Sequence, residues 1–168
     1  MTTKTLVRRI GASEGEVLRS IRLAALCESP HAFGAKLADE EAKPISEFIV
    51  TAQRHAESET STTFLAFSGN EPVGQVGAFF DGCEGGRPFI CALWVAPQMR
   101  RRKVGVTLVL EAVCWLQTRD ARSVFAWVAD GNESARRFYS SFGFTATSER
   151  QRLPSNPTEW ETLLELRT

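Results

Sequence analysis

The stretch that decides the fold covers residues 89–116 and reads FICALWVAPQMRRRKVGVTLVLEAVCWL. It begins with an apolar run typical of a buried strand, passes through a proline and a basic turn, and ends with the apolar periodicity of a helix. A strand that leads directly into a helix leaves the first backbone N–H groups of that helix without partners. The helix dipole adds partial positive charge there, so the stretch predicts a phosphate-binding site.

Four consecutive cations occupy the predicted start of this helix: Arg100, Arg101, Arg102 and Lys103. Positive side chains oppose the helix dipole at this end, so the cluster favours a bound anion. A solvated basic turn without a ligand is the alternative interpretation. Gly105 follows the cluster and allows a ligand to approach the backbone closely.

The composition is that of a globular protein, and its 168 residues predict one domain, residues 1–168. Because 20 basic and 20 acidic residues balance, attraction of the whole surface to nucleic acid or to a membrane is not indicated. No apolar run has the length of a signal peptide or a membrane span, which predicts a cytoplasmic protein. The four cysteines form no CxxC pair, and His31 and His55 lack partners at metal-ligand spacing, so no disulfide or metal site is expected.

Apolar periodicity along the chain predicts the element order β-α-α-β-β-β-α-β-α-β-β. Ser13 and Glu16 have the spacing of a capping box at the start of the first helix. Three strands within residues 62–95 form an antiparallel meander, and the following strand–helix–strand unit requires a right-handed crossover. The pattern therefore predicts an α/β (α+β) fold with a mixed sheet.

A second group of candidate residues lies in the segment NESARRFYSSFGF, which begins at Asn132 after a buried strand. At 3.6 residues per turn, Asn132, Arg136 and Tyr139 share one face of the predicted helix. Phe138 and Phe142 lie on another face and are interpreted as core. Tyr139 is the only tyrosine beside 11 phenylalanines, so its hydroxyl is a candidate functional group. An interfacial aromatic with its hydroxyl in water is the alternative.

Together, the two groups resemble the GNAT superfamily of N-acetyltransferases. The family pattern V-x-P followed by Q/R-x-x-G-x-G/A is matched by residues 95–97 and 100–105. The later pattern N-x-x-A-x-x-F/L-Y-x-x-x-G-F is matched by Asn132, Ala135, Phe138, Tyr139, Gly143 and Phe144. The resemblance implies the GNAT fold, a mostly antiparallel sheet of about six to seven strands flanked by helices, in which the parallel fourth and fifth strands splay apart.

The resemblance also implies an activity, the transfer of acetyl from acetyl-CoA to a primary amine by direct attack in a ternary complex. Strand backbone would pair with the pantetheine arm, N–H groups of residues 101–106 would hold the pyrophosphate, and Tyr139 would protonate the leaving thiolate. No metal is implied. The implied cofactor-binding residues are Leu93, Trp94, Val95, Arg100, Arg101, Arg102, Lys103, Val104, Gly105, Val106, Asn132 and Arg136.

The sequence departs from the family pattern at two places. Lys103 stands where the family has the first glycine of its phosphate loop. The lysine side chain is expected to turn outward or to pair with a phosphate. The fourth strand lacks the glutamate that deprotonates the amine in many relatives. Cys91 on that strand is interpreted as a buried structural thiol, and an acyl-cysteine route is the alternative. Substitutes for the glutamate are a chain of waters or one of four carboxylates: Glu40, Glu41, Asp81 and Glu84.

Two other function classes remain, a non-catalytic CoA-binding module and a nucleic-acid binder, and the zero net charge argues against the second. The acceptor is a small-molecule amine or a protein amine. Its pocket is expected between the first two helices, the turn at 81–86 and the loop at 154–157. Pairing of residues 160–167 across a homodimer is implied by the resemblance, and a monomer is left open.

Overall fold

The computed structural model describes residues 4–82 and 85–168, so Cys83 and Glu84 lie outside the described residues. Helices and strands alternate much as the periodicity predicts, and the charged segment after residue 36 divides into two helices at Pro44. In chain order the elements are β1 (Thr5–Arg9), α1 (Gly15–Glu28), α2 (Leu37–Ala42), α3 (Ile45–Glu57), β2 (Ser61–Ser68), β3 (Glu71–Phe80), β4 (Pro88–Val95), α4 (Val104–Gln117), β5 (Ser123–Ala129), α5 (Glu133–Phe142), β6 (Thr145–Leu153) and β7 (Asn156–Arg167).

The strands form one seven-stranded sheet in the order β1-β2-β3-β4-β5-β7-β6. Neighbouring strands run antiparallel except β4 and β5, which are parallel and joined through α4. This arrangement confirms the predicted mixed, mostly antiparallel sheet. Leu108 and Leu116 of α4 are completely buried, because the apolar face of this helix packs against the sheet.

The first helix starts later than its capping-box pattern predicts, and that prediction is wrong. Helix α1 begins at Gly15, and the Glu14 carboxylate instead accepts hydrogen bonds from the Gly11 N–H at 2.7 Å and from Arg8. Gly15 lies where α1 crosses α3, and a Cβ at this position would lie 2.6 Å from the Ile49 Cα. The absence of a side chain at Gly15 therefore allows α1 and α3 to pack closely.

The parallel strands β4 and β5 separate along their length, as the resemblance implies. They share a single register pair, Phe89 with Phe125. Beyond it, β4 carries a bulge opposite β3, and Ala92 in the bulge has a φ of 52°, in the left-handed region. The bulge turns β4 away from β5, and a cleft opens between the carboxyl ends of the two strands.

The last strand lies inside the sheet, so the predicted pairing of residues 160–167 across a dimer is wrong. Strand β7 is hydrogen-bonded to β5 on one side and to β6 on the other, which leaves no free backbone edge. Strands β1 and β6 form the two edges of the sheet. None of the described helices has the length and apolar character needed to cross a membrane.

Candidate active site

A cavity of about 840 Å³, called the splay cavity, lies where β4 and β5 diverge. Strand β4, the start of α4 and the start of α5 supply its predicted lining residues, which are Leu93, Trp94, Val95, Arg100, Arg101, Lys103, Val104, Gly105, Val106, Asn132 and Tyr139. Arg102 and Arg136, also predicted, do not line it. The Arg136 guanidinium instead donates to the Asp130 carbonyl at 3.4 Å.

The start of α4 presents free backbone donors to the splay cavity. The first hydrogen bond of the helix runs from the Thr107 N–H to the Lys103 carbonyl, at 3.0 Å. Among the described residues, no acceptor has hydrogen-bond geometry with the N–H groups of Val104, Gly105 and Val106, and no side chain caps the helix. Such a helix start can hold a phosphate group.

Two cations in the preceding turn adopt left-handed backbone conformations. The φ angles of Arg101 and Lys103 are 62° and 64°. Lys103 thus has the backbone conformation that glycine adopts most easily, although its side chain costs about 1 kcal/mol or more there. The replacement of the family's glycine by lysine therefore leaves the donors of α4 facing the cavity.

No protein atom near Gly105 would clash with a side chain at this position. A Cβ at this position would lie 3.4 Å from the Phe138 Cε2 and 3.6 Å from a Val95 methyl carbon, which are ordinary contacts. The position faces the splay cavity. The missing side chain leaves space beside the free N–H groups, which is where a ligand would approach the backbone.

Glu28 at the end of α1 connects that helix to the basic turn, a contact that the sequence pattern did not reveal. Its carboxylate accepts from the Arg100 guanidinium at 2.7 Å and from the Trp94 indole N–H at 2.9 Å. Arg100 also donates to the Val95 carbonyl at 3.0 Å. The hydrogen bond from Arg100 lowers the pKa of Glu28 to about 2. Protein acceptors therefore hold the Arg100 guanidinium in place. Its hydrogen bond already uses the Val95 carbonyl oxygen.

Helix α5 brings Asn132 and Tyr139 to the splay cavity. The Asn132 side-chain oxygen caps the helix by accepting from the Ala135 N–H at 3.1 Å, and its amide N–H groups remain available. Tyr139 is 6% exposed and packs edge-on against Phe138 and Phe144. Its hydroxyl makes no hydrogen bond within the described part of the chain. Burial raises the pKa of Tyr139, so the phenol is protonated at neutral pH.

Sequence reasoning missed part of the splay cavity. The loop after α1 lines it through residues such as His31 and Phe33, and Trp127 contributes from β5. Phe138, interpreted as core, is partly buried and also lines the cavity. No local pattern reveals this part, because Glu28, which precedes the loop, contacts Trp94 and Arg100 at separations of 66 and 72 positions.

A second cavity of about 540 Å³, called the helix cavity, lies between α1–α3 and the strands β2–β4. Glu40 is buried beside it, and its carboxylate binds Arg22 and Lys43, each at 2.7 Å. Burial acts to raise the pKa of Glu40, but the two cations bring it below its usual range. Gln75 also lines this cavity. The residue is 3% exposed, and its amide makes no hydrogen bond with the described residues but keeps access to the cavity.

His55 lines the helix cavity as a neutral imidazole. Its Nδ1 lies 2.8 Å from the Thr63 hydroxyl. Burial lowers the pKa of His55 to about 4, and the charges of Arg54, Arg9 and Arg22 act in the same direction. The environment of this cavity therefore opposes an added positive charge.

The two cavities share Cys91 and Ala92, the residues at the bulge of β4. The Cys91 side chain is exposed to the cavities, so the interpretation as a buried thiol is wrong. A Cβ at position 77 would lie 2.7 Å from its Sγ, so Gly77 makes room for it. Because protein surrounds the cavities, burial raises the pKa of Cys91 to about 11. The thiol is therefore protonated and a weak nucleophile at neutral pH.

Of the carboxylates predicted to replace the missing glutamate, Glu40 lines the helix cavity, whereas Glu41 and Asp81 do not. The first helices line the helix cavity, whereas the described parts of the 81–86 turn and the 154–157 loop line neither cavity, and the location of the acceptor pocket stays a prediction. Ser155 instead donates to the Phe33 carbonyl at 2.5 Å and supports the loop after α1.

Comparison with known proteins identifies relatives of this chain. A family model described as the Acetyltransferase (GNAT) family matches residues 24–144, which is more than half of the chain. No curated protein sequence matches. The matched region contains β4, α4, β5 and α5, the elements that form the splay cavity.

Solved structures share the fold at low sequence identity. An acetyltransferase of the GNAT family from Streptococcus pneumoniae has a TM-score of 0.81 at 18% identity, over 98% of this chain and 99% of that chain. PaiA N-acetyltransferase from Thermoplasma acidophilum, in complex with coenzyme A, has a TM-score of 0.75 at 15% identity, over 98% and 99% of the chains. NAA60 of Arabidopsis thaliana, in complex with a bisubstrate analogue, has a TM-score of 0.69 at 18% identity, over 98% of both chains.

Proposed function

The chain belongs to the acetyltransferase (GNAT) family, and from that premise we propose that it transfers acetyl from acetyl-CoA to a primary amine by direct attack in a ternary complex. The observation that carries the proposal is the meeting of the two cavities at Cys91 and Ala92. A thioester in the splay cavity and an amine in the helix cavity would meet there. In this proposal residues 1–168 act as one N-acetyltransferase domain.

Acetyl-CoA would lie in the splay cavity with its pyrophosphate at the start of α4. The free N–H groups of residues 104–106 support this placement, and Arg101 and Lys103 add positive charge beside them. The pantetheine arm would run along Leu93, Trp94 and Val95, with the Asn132 amide as a donor. The bound coenzyme A of the Thermoplasma relative agrees with this choice of cosubstrate.

Tyr139 would protonate the leaving thiolate. The phenol is protonated at neutral pH, it lines the splay cavity, and its hydroxyl has no competing partner in the described chain. The two groups are close enough for an ionised Cys91 to raise the pKa of Tyr139, so Tyr139 lies near the junction of the cavities. Donating a proton as the C–S bond breaks avoids a bare thiolate in a dry site.

The acceptor amine must lose its proton before it attacks. Glu40 is a poor base because both of its oxygens bind cations. The burial and positive charge that lower the pKa of His55 would act equally on an ammonium in the helix cavity. We therefore propose that the cavity itself favours the neutral amine and that the proton leaves through water.

The experiment is an amine-library screen that follows the release of free CoA thiol, preceded by a thermal shift with acetyl-CoA. Binding should raise the unfolding free energy by RT ln(1 + [L]/Kd). Amine-dependent thiol release supports the proposal, whereas binding without turnover supports a non-catalytic CoA-binding module. A homodimer and a cytoplasmic location stay predictions from the sequence.

A further inference from the structure

The side chains of the helix cavity point to a class of acceptor, an inference that rests on the proposed function. Three cations, Arg22, Lys43 and Arg54, line this cavity beside two carboxylates, Glu40 and Glu47. His55 adds no charge at neutral pH, because burial lowers its pKa to about 4. The lining therefore has one positive charge in excess.

The buried carboxylate offers no free oxygen to a cationic ligand. One oxygen of Glu40 accepts from Lys43 at 2.7 Å and from Arg22 at 3.4 Å, and the other accepts from the Arg22 Nε at 2.7 Å. Its side chain is 5% exposed, whereas the side chains of Arg22 and Lys43 are 33% and 41% exposed. The cations of this group are thus open to a ligand and the carboxylate is not.

The positive charge of Arg22 reaches the reaction end of the cavity. It acts on His55 at one end and on Cys91 at the junction with the splay cavity. Two of the Arg22 guanidinium nitrogens bind Glu40, and no partner of its Nη1 is found in residues 4–82 and 85–168. Arginine binds carboxylates well because its planar group offers several donors.

Gln75 provides an independent sign that the helix cavity receives a polar ligand. The residue is more than nine-tenths buried and lines the cavity, and its amide makes no hydrogen bond with the described residues. Its amide atoms are not fully enclosed by protein, because Trp115 Nε1 is the one fully buried side-chain nitrogen or oxygen without a partner among the described residues, so the amide is open to a ligand in the cavity. Gln75 pairs with Trp94 across the β3–β4 ladder, close to the bulge where the two cavities meet.

We propose that the acceptor is a small primary amine that also carries a carboxylate, with the carboxylate held by Arg22 and the Gln75 amide. The amine would then lie toward Cys91 and Ala92, where the cavities join. A volume of about 540 Å³ suits a molecule of the size of an amino acid or a short peptide. Polycationic amines fit poorly, because the excess charge repels them.

The test compares matched acceptor pairs, amino acids and their carboxamides, by release of CoA thiol. The carboxylate should raise kcat/KM by about 10- to 100-fold, as expected for a hydrogen bond to a charged group. Arg22→Gln should bring this ratio close to one, mainly through KM. Arg19→Gln is the matched control, because Arg19 lies on the same helix and does not line the cavity.

A double variant and a binding measurement distinguish loss of the carboxylate contact from damage to the fold. The double variant Arg22→Gln/Glu40→Gln removes both charges of the buried pair, so it loses the carboxylate preference without leaving an unpaired buried charge. Affinities of N-acetyl amino acids and their amides for the CoA-bound protein give a readout without turnover. Equal kcat/KM for both members of the pairs, or an unchanged ratio in both Arg22 variants, overturns the inference but leaves acetyl transfer intact. No turnover with any amine overturns the proposed function itself.

Discussion

The splay cavity and the helix cavity meet at Cys91 and Ala92 but are built in different ways. The splay cavity presents backbone N–H groups at one helix start, supplied by a nearly continuous part of the chain. The helix cavity presents side chains, and its central group joins Arg22 of α1 to Glu40 of α2. The contrast separates a phosphate site made of backbone N–H groups from a cavity whose polar groups are side chains.

Lys103 illustrates the tolerance of the backbone site. It replaces the expected glycine, yet it adopts the left-handed conformation with a φ of 64°, and the N–H groups after it remain free. A comparable change at Arg22 would leave the buried Glu40 with one cation fewer. Four predictions test this contrast; the two on turnover and ligand binding precede the two on stability, and in each pair the larger expected effect comes first.

The largest effect is expected for Tyr139→Phe, which tests whether the chemistry belongs to the splay cavity. Turnover should fall by about 10² to 10⁴, the usual range for loss of a general acid. The Kd of acetyl-CoA should hardly change, because the ring contacts with Phe138 and Phe144 remain. Steady-state kinetics and calorimetry measure the two quantities. A variant with unchanged turnover would remove Tyr139 from the mechanism.

Gly105→Ala should separate ligand binding from folding. The new methyl makes only ordinary contacts with the protein, the nearest at 3.4 Å, and alanine favours a helix by about 1 kcal/mol over glycine. The unfolding free energy should therefore stay constant or rise slightly. Acetyl-CoA affinity should fall by about tenfold or more, since the methyl occupies space beside the free N–H groups, a cost of about 1.4 kcal/mol. Unchanged affinity would show that the pyrophosphate does not approach residue 105.

The environment of the helix cavity should make the protein sensitive to acid through His55. Its pKa is about 4 in the folded protein and near 6.5 in the unfolded chain. Between these values the unfolded chain binds the proton and the folded protein does not, so stability falls as the pH decreases. From pH 7 to pH 5 the loss should be about 2 kcal/mol, measured by denaturant unfolding.

His55→Gln should remove this part of the pH dependence. His31→Gln is the matched control, because it removes the other histidine of the chain. If His55→Gln and the wild type lose the same free energy between the two pH values, the imidazole is not the group that responds to acid.

The smallest effect is expected for Glu28→Gln, at the contact between α1 and the basic turn. The side chains of Arg100 and Glu28 are 45% and 33% exposed, so solvent screening limits the loss to about 1 kcal/mol or less. The contribution is present above the unfolded pKa near 4.5 and is lost as the pH falls toward 2. Unfolding at low and high salt measures it.

Glu133→Gln is the matched control for this ion pair. Its partner Arg137 lies at 3.4 Å, and both side chains are more than three-quarters exposed, so no measurable loss is expected. Equal losses in the two variants would show that the Glu28 contact has no special role in joining α1 to the turn.

The sequence predicted the elements around the splay cavity well because their signals are local. The pattern places α4 at about residues 103–118, and the structure has Val104–Gln117. Gly143 ends α5 with a φ of 117°, as its position predicts. These features depend on residues a few positions apart, so one pass along the chain reveals them.

The helix cavity depends on contacts that no local pattern contains. Arg22 and Glu40 are 18 positions apart, and nothing in the sequence around Gln75 indicates that it lines a cavity. The bulge at Ala92 also has no sequence signal, since alanine seldom adopts a positive φ. The sequence also could not show that the described parts of the 81–86 turn and the 154–157 loop line neither cavity, because only the folded chain shows which segments meet.

The position of Cys91 has a consequence for chemical labelling. Its thiol lines both cavities, so a single covalent adduct there would occupy the places of both substrates at once. Because its pKa is about 11, reagents that require a thiolate should label it slowly at neutral pH and faster in alkaline buffer. A bound ligand in either cavity should protect it, so the rate of Cys91 alkylation reports occupancy of the junction without any need for turnover.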